Sequence, residues 1–224
     1  MSEITPIAYI ETPFDEKFGV PRQSGIADCP GRIVFVPAFR DCDAVRGLEG
    51  FSHIWLLWQF DRAAGHGWSP TVRPPRLGGN ERVGVFATRS PFRPNGLGLS
   101  AVELEHVSLD EADSPVLYVR GADMVSGTPI FDIKPYLAYA DSYPDAAGGF
   151  TGGDAGEMLA VDFPPELLAQ FDSGERHGLL SALGADPRPR YQEDSERVYG
   201  MRYAGKDVRF TVSDGVVHVV EVET

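Results

Sequence analysis

From residue 7 to residue 120 the chain gathers short β-branched and aromatic runs, each broken by Gly or Pro, a pattern of strands and turns rather than of helices. The runs predict strands over residues 7–11, 33–39, 53–60, 82–87, 99–106 and 116–120. Ile33-Val34-Phe35-Val36 is apolar at every position, so both faces of that strand should be covered, as in a closed barrel or at a subunit interface. Residues 41–50 carry the best helical turn of this half, with Asp41 or Asp43 as the cap and Gly50 as the stop.

The pattern changes after the Ala-Gly-Gly and Thr-Gly-Gly-Asp-Ala-Gly runs between Pro144 and Gly156. Helical spacing follows over 164–171 and 173–183, with a proline in the first turn and Ser173 as a cap. Three short strands are then expected over 197–203, 207–212 and 216–222, joined by hairpin turns at Ala204-Gly205 and Asp214-Gly215. The division is therefore a mainly β unit over 1–145, a linker over 146–156 and a small α+β unit over 157–224. A unit of roughly 70 residues has a thin core and should lean on its neighbour.

Composition narrows the class. With 224 residues, 42% of them hydrophobic, the chain can bury a substantial core, and its 25 glycines and 18 prolines follow no short period. The longest strongly apolar run, Ile54 to Trp58, falls far short of the roughly 18 residues of a spanning helix, so no membrane segment is expected. Met1-Ser2-Glu3 opens no secretory signal, and two cysteines, Cys29 and Cys42, read as free thiols of a reducing compartment; the cytoplasm is the expected location. Charge is uneven: residues 1–100 hold 11 Lys and Arg against 10 Asp and Glu, whereas residues 101–224 hold 9 against 23, giving the formal −13. Within 62–93 every cation is an arginine, Arg62, Arg73, Arg76, Arg82, Arg89 and Arg93, and Glu81 is the lone acid. Planar guanidinium forks suit phosphate and carboxylate, although such arginines can equally meet acids from elsewhere in the fold.

Several chemistries lack their motifs. No strand, Gly-x-Gly-x-x-Gly turn and helix occur in order, no Gly-x-Ser-x-Gly elbow is present, and His53, His66, His106, His177 and His218 have no metal-ligand spacing, so no metal is expected. Three stretches remain. Val20-Pro-Arg-Gln-Ser-Gly25 sets a guanidinium beside an amide. Residues 87–100 place Arg89 and Arg93 among prolines that fix φ, which makes a rigid loop suited to aiming side chains at a ligand. Residues 121–136 carry Asp123, Asp132, Lys134 and Tyr136.

At these stretches the chain resembles the TrmO family, also called TsaA or YaeB-like, of S-adenosylmethionine-dependent tRNA adenine-N6 methyltransferases. The likeness rests on Pro21-Arg-Gln23, Ala44-Val-Arg-Gly-Leu-Glu49, Phe51-Ser-His53, residues 70–80, Thr88-Arg-Ser90, Phe92-Arg-Pro-Asn95 and Asp132-Ile-Lys-Pro-Tyr136, with Asp186-Pro-Arg-Pro189 and Tyr191 similar to the family's second domain. Ser126 departs from the pattern, standing where the family usually has an acid before Gly127-Thr-Pro129. The resemblance implies a single-sheeted β-barrel followed by the small α+β domain, working as a homodimer with the methyl donor near the subunit interface. It implies a donor pocket of Gln23, Ser24, Gly25, Ile26, Asp61, Arg62, Arg89, Leu99, Gly121, Ala122 and Asp123. Chemistry assigns Arg89 to the donor's carboxylate and Asp123 to its ammonium, against the plainer reading of an Arg89–Asp123 ion pair. The implied reaction is methylation of N6 on a threonylcarbamoyl-modified adenosine beside the anticodon of threonine tRNA. Asp132 is the candidate proton acceptor and Asn95 the candidate positioning group. Arg73 and Arg76, with Arg188 and Arg190, sit in proline-stiffened segments and are the candidates for gripping the anticodon arm. A donor-binding regulatory module and a small-nucleotide hydrolase are the competing readings.

Overall fold

Alternation of inward apolar and outward polar positions closes the first sheet on itself. The computed structural model describes residues 4–63, 65, 67–152, 157–188 and 194–224. In chain order the strands of the first unit are β1 (Ala8–Glu11), β2 (Pro30–Phe35), β3 (His53–Gln59), β4 (Thr71–Val72), β5 (Val83–Gly84), β6 (Leu97–Ser108), β7 (Val116–Arg120) and β8 (Thr128–Pro135). Six of them form a closed barrel in the order β1-β2-β7-β6-β3-β8, while β4 and β5 pair by themselves. Ile10, Ile33, Ile54, Leu56, Val102, Leu117, Val119 and Ile130 pack together in the barrel core.

Local chemistry explains where the strands differ from expectation. The 33–39 run stops at Phe35 and becomes a 3-10 turn over Pro37–Phe39, because Pro37 has no N–H for the ladder. Residues 82–87 supply only two strand residues before the 3-10 turn Val85–Ala87. The 41–50 helix is two 3-10 turns, Cys42–Val45 and Leu48–Gly50, and Asp41 caps the first by accepting from the Asp43 N–H. The 121–136 stretch, read from sequence only as a cluster of chemistry, contains β8, which zips β3 to β1.

The second unit holds β9 (Ala160–Asp162), β10 (Tyr199–Tyr203), β11 (Lys206–Ser213) and β12 (Val216–Glu223) in the order β10-β11-β12-β9, with β9 parallel to β12. Its helices are α2 (Pro165–Leu168) and α3 (Ser173–Gly184), after the short α1 (Ala138–Asp141) that follows the barrel. Asp172, one residue before the expected Ser173, caps α3 in a reciprocal box with Glu175. The turns at Ala204-Gly205 and Asp214-Gly215 have positive φ at both residues, as two-residue hairpins require.

Phe14, Ala27 and Cys29, from the connection between β1 and β2, are buried in the second unit's core with Phe171, Leu179, Met201 and Tyr203. The Asp28 N–H donates to the Ser181 hydroxyl of α3 at 2.8 Å, and the Ala204 N–H donates to the Pro13 carbonyl at 2.7 Å. The small unit thus grips the segment that carries Gln23. Among the described residues no helix is long and apolar enough to cross a membrane.

Candidate active site

A cavity of about 450 Å³ opens at one end of the barrel, a size suited to a small-molecule ligand. Its wall comes from the 17–23 segment, the end of β3 with the turn at 61–63, the 88–93 loop, the start of β6 and residues 123–125 after β7.

The apolar side is built on Trp58 and Phe60, whose rings meet edge to face with centroids 4.3 Å apart. The Trp58 indole covers Gly98 so closely that a Cβ built there would lie 2.3 Å from the ring, and only glycine fits. The Trp58 Nε1–H donates to Ser100 Oγ at 3.0 Å, and the Ser100 hydroxyl donates its one proton to Asp123 Oδ1 at 2.7 Å. An indole that can only donate therefore orients a hydroxyl toward the carboxylate. Burial pushes the Asp123 carboxyl above the ordinary carboxylate range, while hydrogen bonds from Ser100, its own N–H and the Ser24 N–H, with the positive charge of Arg89, pull the other way.

The opposite side is a braced loop. Thr88 Oγ1 donates to the Val85 carbonyl, the Thr88 carbonyl accepts from the Arg93 guanidinium at 2.7 Å, and the Phe92 carbonyl accepts from the Ser69 N–H. Arg89 donates to Gln23 Oε1 across the cavity and forms no ion pair with Asp123 among the described residues.

Of the expected donor pocket, Gln23, Asp61, Arg62, Arg89, Leu99 and Asp123 line the cavity together. Ser24, Gly25, Ile26, Gly121 and Ala122 stand behind it. The Gly25 N–H donates to the Gly121 carbonyl at 3.0 Å, and a Cβ on Gly121, where φ is +78°, would come within 3.1 Å of the Gly25 nitrogen. Ala122 is buried in the barrel core. Asn95 and Asp132 are not on the lining. Asn95 is exposed, and Asp132 lies on the outer face of β8, 2.9 Å from Lys134 and in register with Leu57. Leu57 is in turn in register with Leu99, and Trp55, opposite Lys134 on β3, also lines the cavity, so Asp132 lies one strand from the lining on the outer face.

Arg73 is exposed and Arg76 donates to the Thr151 carbonyl. Arg188 differs from the open fork expected of it: Nε and Nη2 both bond Asp186, at 2.8 and 3.1 Å, and the side chain is only 15% exposed. Arg190 lies outside the described residues. The Ser126 hydroxyl accepts from the Thr12 N–H at 3.3 Å, and its carbonyl accepts from Arg62 at 3.4 Å. Sequence reasoning missed Trp58 and Phe60 as ligand wall, because strand periodicity marks them only as core, and it gave no signal for Lys17; Arg93, which the rigid proline loop marked as aimed at a ligand, is on the lining although the donor pocket implied by the resemblance did not include it. No cluster of His, Cys, Asp or Glu among the described residues could hold a metal ion.

A closed six-stranded barrel with its cavity framed by these loops and a small appended sheet matches known proteins along its whole length. The tRNA-methyltransferase O N-terminal domain model matches residues 9–142 and the TrmO C-terminal domain model matches residues 156–224. The chain belongs to the tRNA-methyltransferase O family. The tRNA (adenine(37)-N6)-methyltransferase of Escherichia coli is 42% identical over 97% of this chain and 96% of its own length. A human protein of the same name is 40% identical over 61% of this chain and 30% of its own. The crystal structure of TrmO from Pseudomonas aeruginosa superposes with a TM-score of 0.80 at 30% identity, covering 100% of this chain and 99% of that one.

Proposed function

We propose that this protein methylates N6 of adenosine 37 in tRNA with S-adenosylmethionine as donor, and that the adenosine it acts on carries a threonylcarbamoyl group in a threonine tRNA. The observation that carries this reading is the cavity's division of labour. Asp123, held by Ser100, faces Arg89, held by Gln23, across an apolar wall of Trp58 and Phe60. A carboxylate for an ammonium, a fork for a carboxylate and an apolar face for a purine are what this donor's groups require. When bound, the donor supplies an electrophilic methyl group. The protein's part is to hold that group in line with N6, exclude water, and let N6 lose its proton.

We assign Asp132 to receive that proton and Asn95 to orient the modified base, both acting from the rim. Such a role needs the outer face of β3, β6 and β8 to be enclosed, and around the Asp132–Lys134 pair that face carries apolar side chains: Leu99 is 55% exposed, and Trp55 and Leu57 are half-buried. A second copy of the chain is the proposed cover, so the working form is a homodimer, and the proposed compartment is the cytoplasm.

The test is incubation with labelled donor and threonine tRNA that bears or lacks the threonylcarbamoyl group. Label appearing at N6 of the modified tRNA alone supports the full reading. Label on unmodified tRNA overturns the substrate assignment. Donor binding with no transfer to either points to a regulatory module instead.

A further inference from the structure

The cavity holds more positive charge than its donor can use. Lys17, Arg22, Arg62, Arg89 and Arg93 line it against two carboxylates, Asp61 and Asp123. The donor brings one carboxylate against an ammonium and a sulfonium, so it adds positive charge and occupies one fork. A second anionic group is called for, and the cations differ in their freedom to meet it. Arg22 turns away, donating to the carbonyls of Asp186 and Arg188. Arg62 lies 3.6 Å from Asp61. Arg89 is bonded to Gln23. Arg93 has no ion pair among the described residues, and one guanidinium nitrogen alone is engaged, with the Thr88 carbonyl at 2.7 Å. It lines the cavity half-buried between Pro91 and Pro94, which limit the backbone freedom it has left to lose.

We propose that Arg93 is the specificity-determining residue for the modified adenosine, its guanidinium binding the carboxylate of the threonyl group. This rests on the substrate reading above. The threonylcarbamoyl group is the one part of that base that bears a negative charge, and it enters the cavity with N6. Backbone phosphates belong to the outside of the loop, where Arg73 is exposed. Arginine suits the task because its planar fork matches a carboxylate bidentately, whereas the Lys17 ammonium offers a point charge without that geometry.

The experiment uses three anticodon stem-loops, identical except that adenosine 37 is unmodified, bears the threonylcarbamoyl group, or bears it with the carboxylate converted to a methyl ester. Their affinities are measured on the full-length protein saturated with S-adenosylhomocysteine, for the native chain, Arg93→Ala and Arg93→Gln; the glutamine keeps a donor for the Thr88 carbonyl without the charge. The native protein should bind the acid about tenfold or more tightly than the ester. Both variants should bind acid and ester alike and keep the affinity of the native protein for the unmodified loop. Equal affinity of the native protein for acid and ester overturns the proposal without need of any variant. An equal loss on all three loops assigns Arg93 to a phosphate and overturns it too. Failure of the native protein to methylate any loop refutes the substrate reading instead, since the acid-to-ester ratio is read separately from transfer.

Discussion

Gly98 has no side chain because Trp58 occupies that space, and the consequence reaches the carboxylate. Gly98→Ala would force the indole off its seat, and overpacking of this kind costs about 1–3 kcal/mol. We expect a lower denaturation midpoint together with weaker donor binding, because Trp58 orients Ser100 and Ser100 orients Asp123. Equal loss of stability with native donor affinity would separate the packing from the polar chain. Asp123 itself gives a signed expectation. Its pKa is raised in the folded protein, so the charged carboxylate costs the donor-free protein stability at neutral pH, and that cost is relieved as pH falls from the raised value toward the ordinary 3.8. Asp123→Asn should therefore raise the Tm of the donor-free protein at pH 7, lose that advantage below about pH 4, and weaken donor binding about tenfold or more. Calorimetric titration across pH checks both. Neither Trp58 nor Gly98 could be paired from sequence: 40 positions separate them along the chain, and only the β3–β6 register sets one opposite the other.

Elements were most legible where one face is wet. β10 alternates cleanly and the hairpins of the second unit turn on Gly, and their residues match the pattern read along the chain. β8 was not legible, since Pro129, Asp132, Lys134 and Pro135 look like loop chemistry until β3 and β1 supply ladders on both sides. β9 failed for a related reason: three residues pairing in parallel with β12 carry no periodic signal. The cap of α3 was off by one residue although its helical run was expected to begin at Ser173, as it does; Ser173 and Asp172 are both competent caps, and what decides between them is Glu175, which accepts from the Asp172 N–H at 3.0 Å. Asp172→Ala should cost about 1 kcal/mol in chemical denaturation, whereas Ser173→Ala should change stability by a few tenths at most. The reverse order would mean that the box is not what starts the helix. This matters for the site because α3 holds the 13–29 segment in place through Ser181 and Asp28.

At the scale of the whole molecule the donor cavity was partly legible, since motifs placed six of its residues on one lining, but no motif says which side chains of the rim stay free. Sedimentation at low protein concentration should find a dimer. Leu99→Glu, placed on the exposed apolar face rather than in the barrel core, should release monomers that remain folded by circular dichroism. A native monomer with full donor affinity would refute a shared cavity.

A chain of formal charge −13 must still hold a polyanion, and its arginines divide on structural grounds. Arg73 is exposed in a segment of paired prolines, and Arg76 stands one 3-10 turn further on, where it donates to the Thr151 carbonyl. Arg188 has spent its fork on Asp186, and burial with two charge-assisted bonds makes it a brace for the segment that Arg22 also holds. Replacing Arg73 and Arg76 together by alanine should weaken tRNA binding and flatten its salt dependence, by a log-log slope of roughly 0.7 for each single-strand phosphate no longer neutralised, with donor affinity unchanged. Arg188→Ala should do the opposite, lowering the Tm while leaving the salt slope as it was. A lowered salt slope for Arg188→Ala at native thermal stability would return that residue to the tRNA surface, and an unchanged slope for the Arg73 and Arg76 pair would remove them from it.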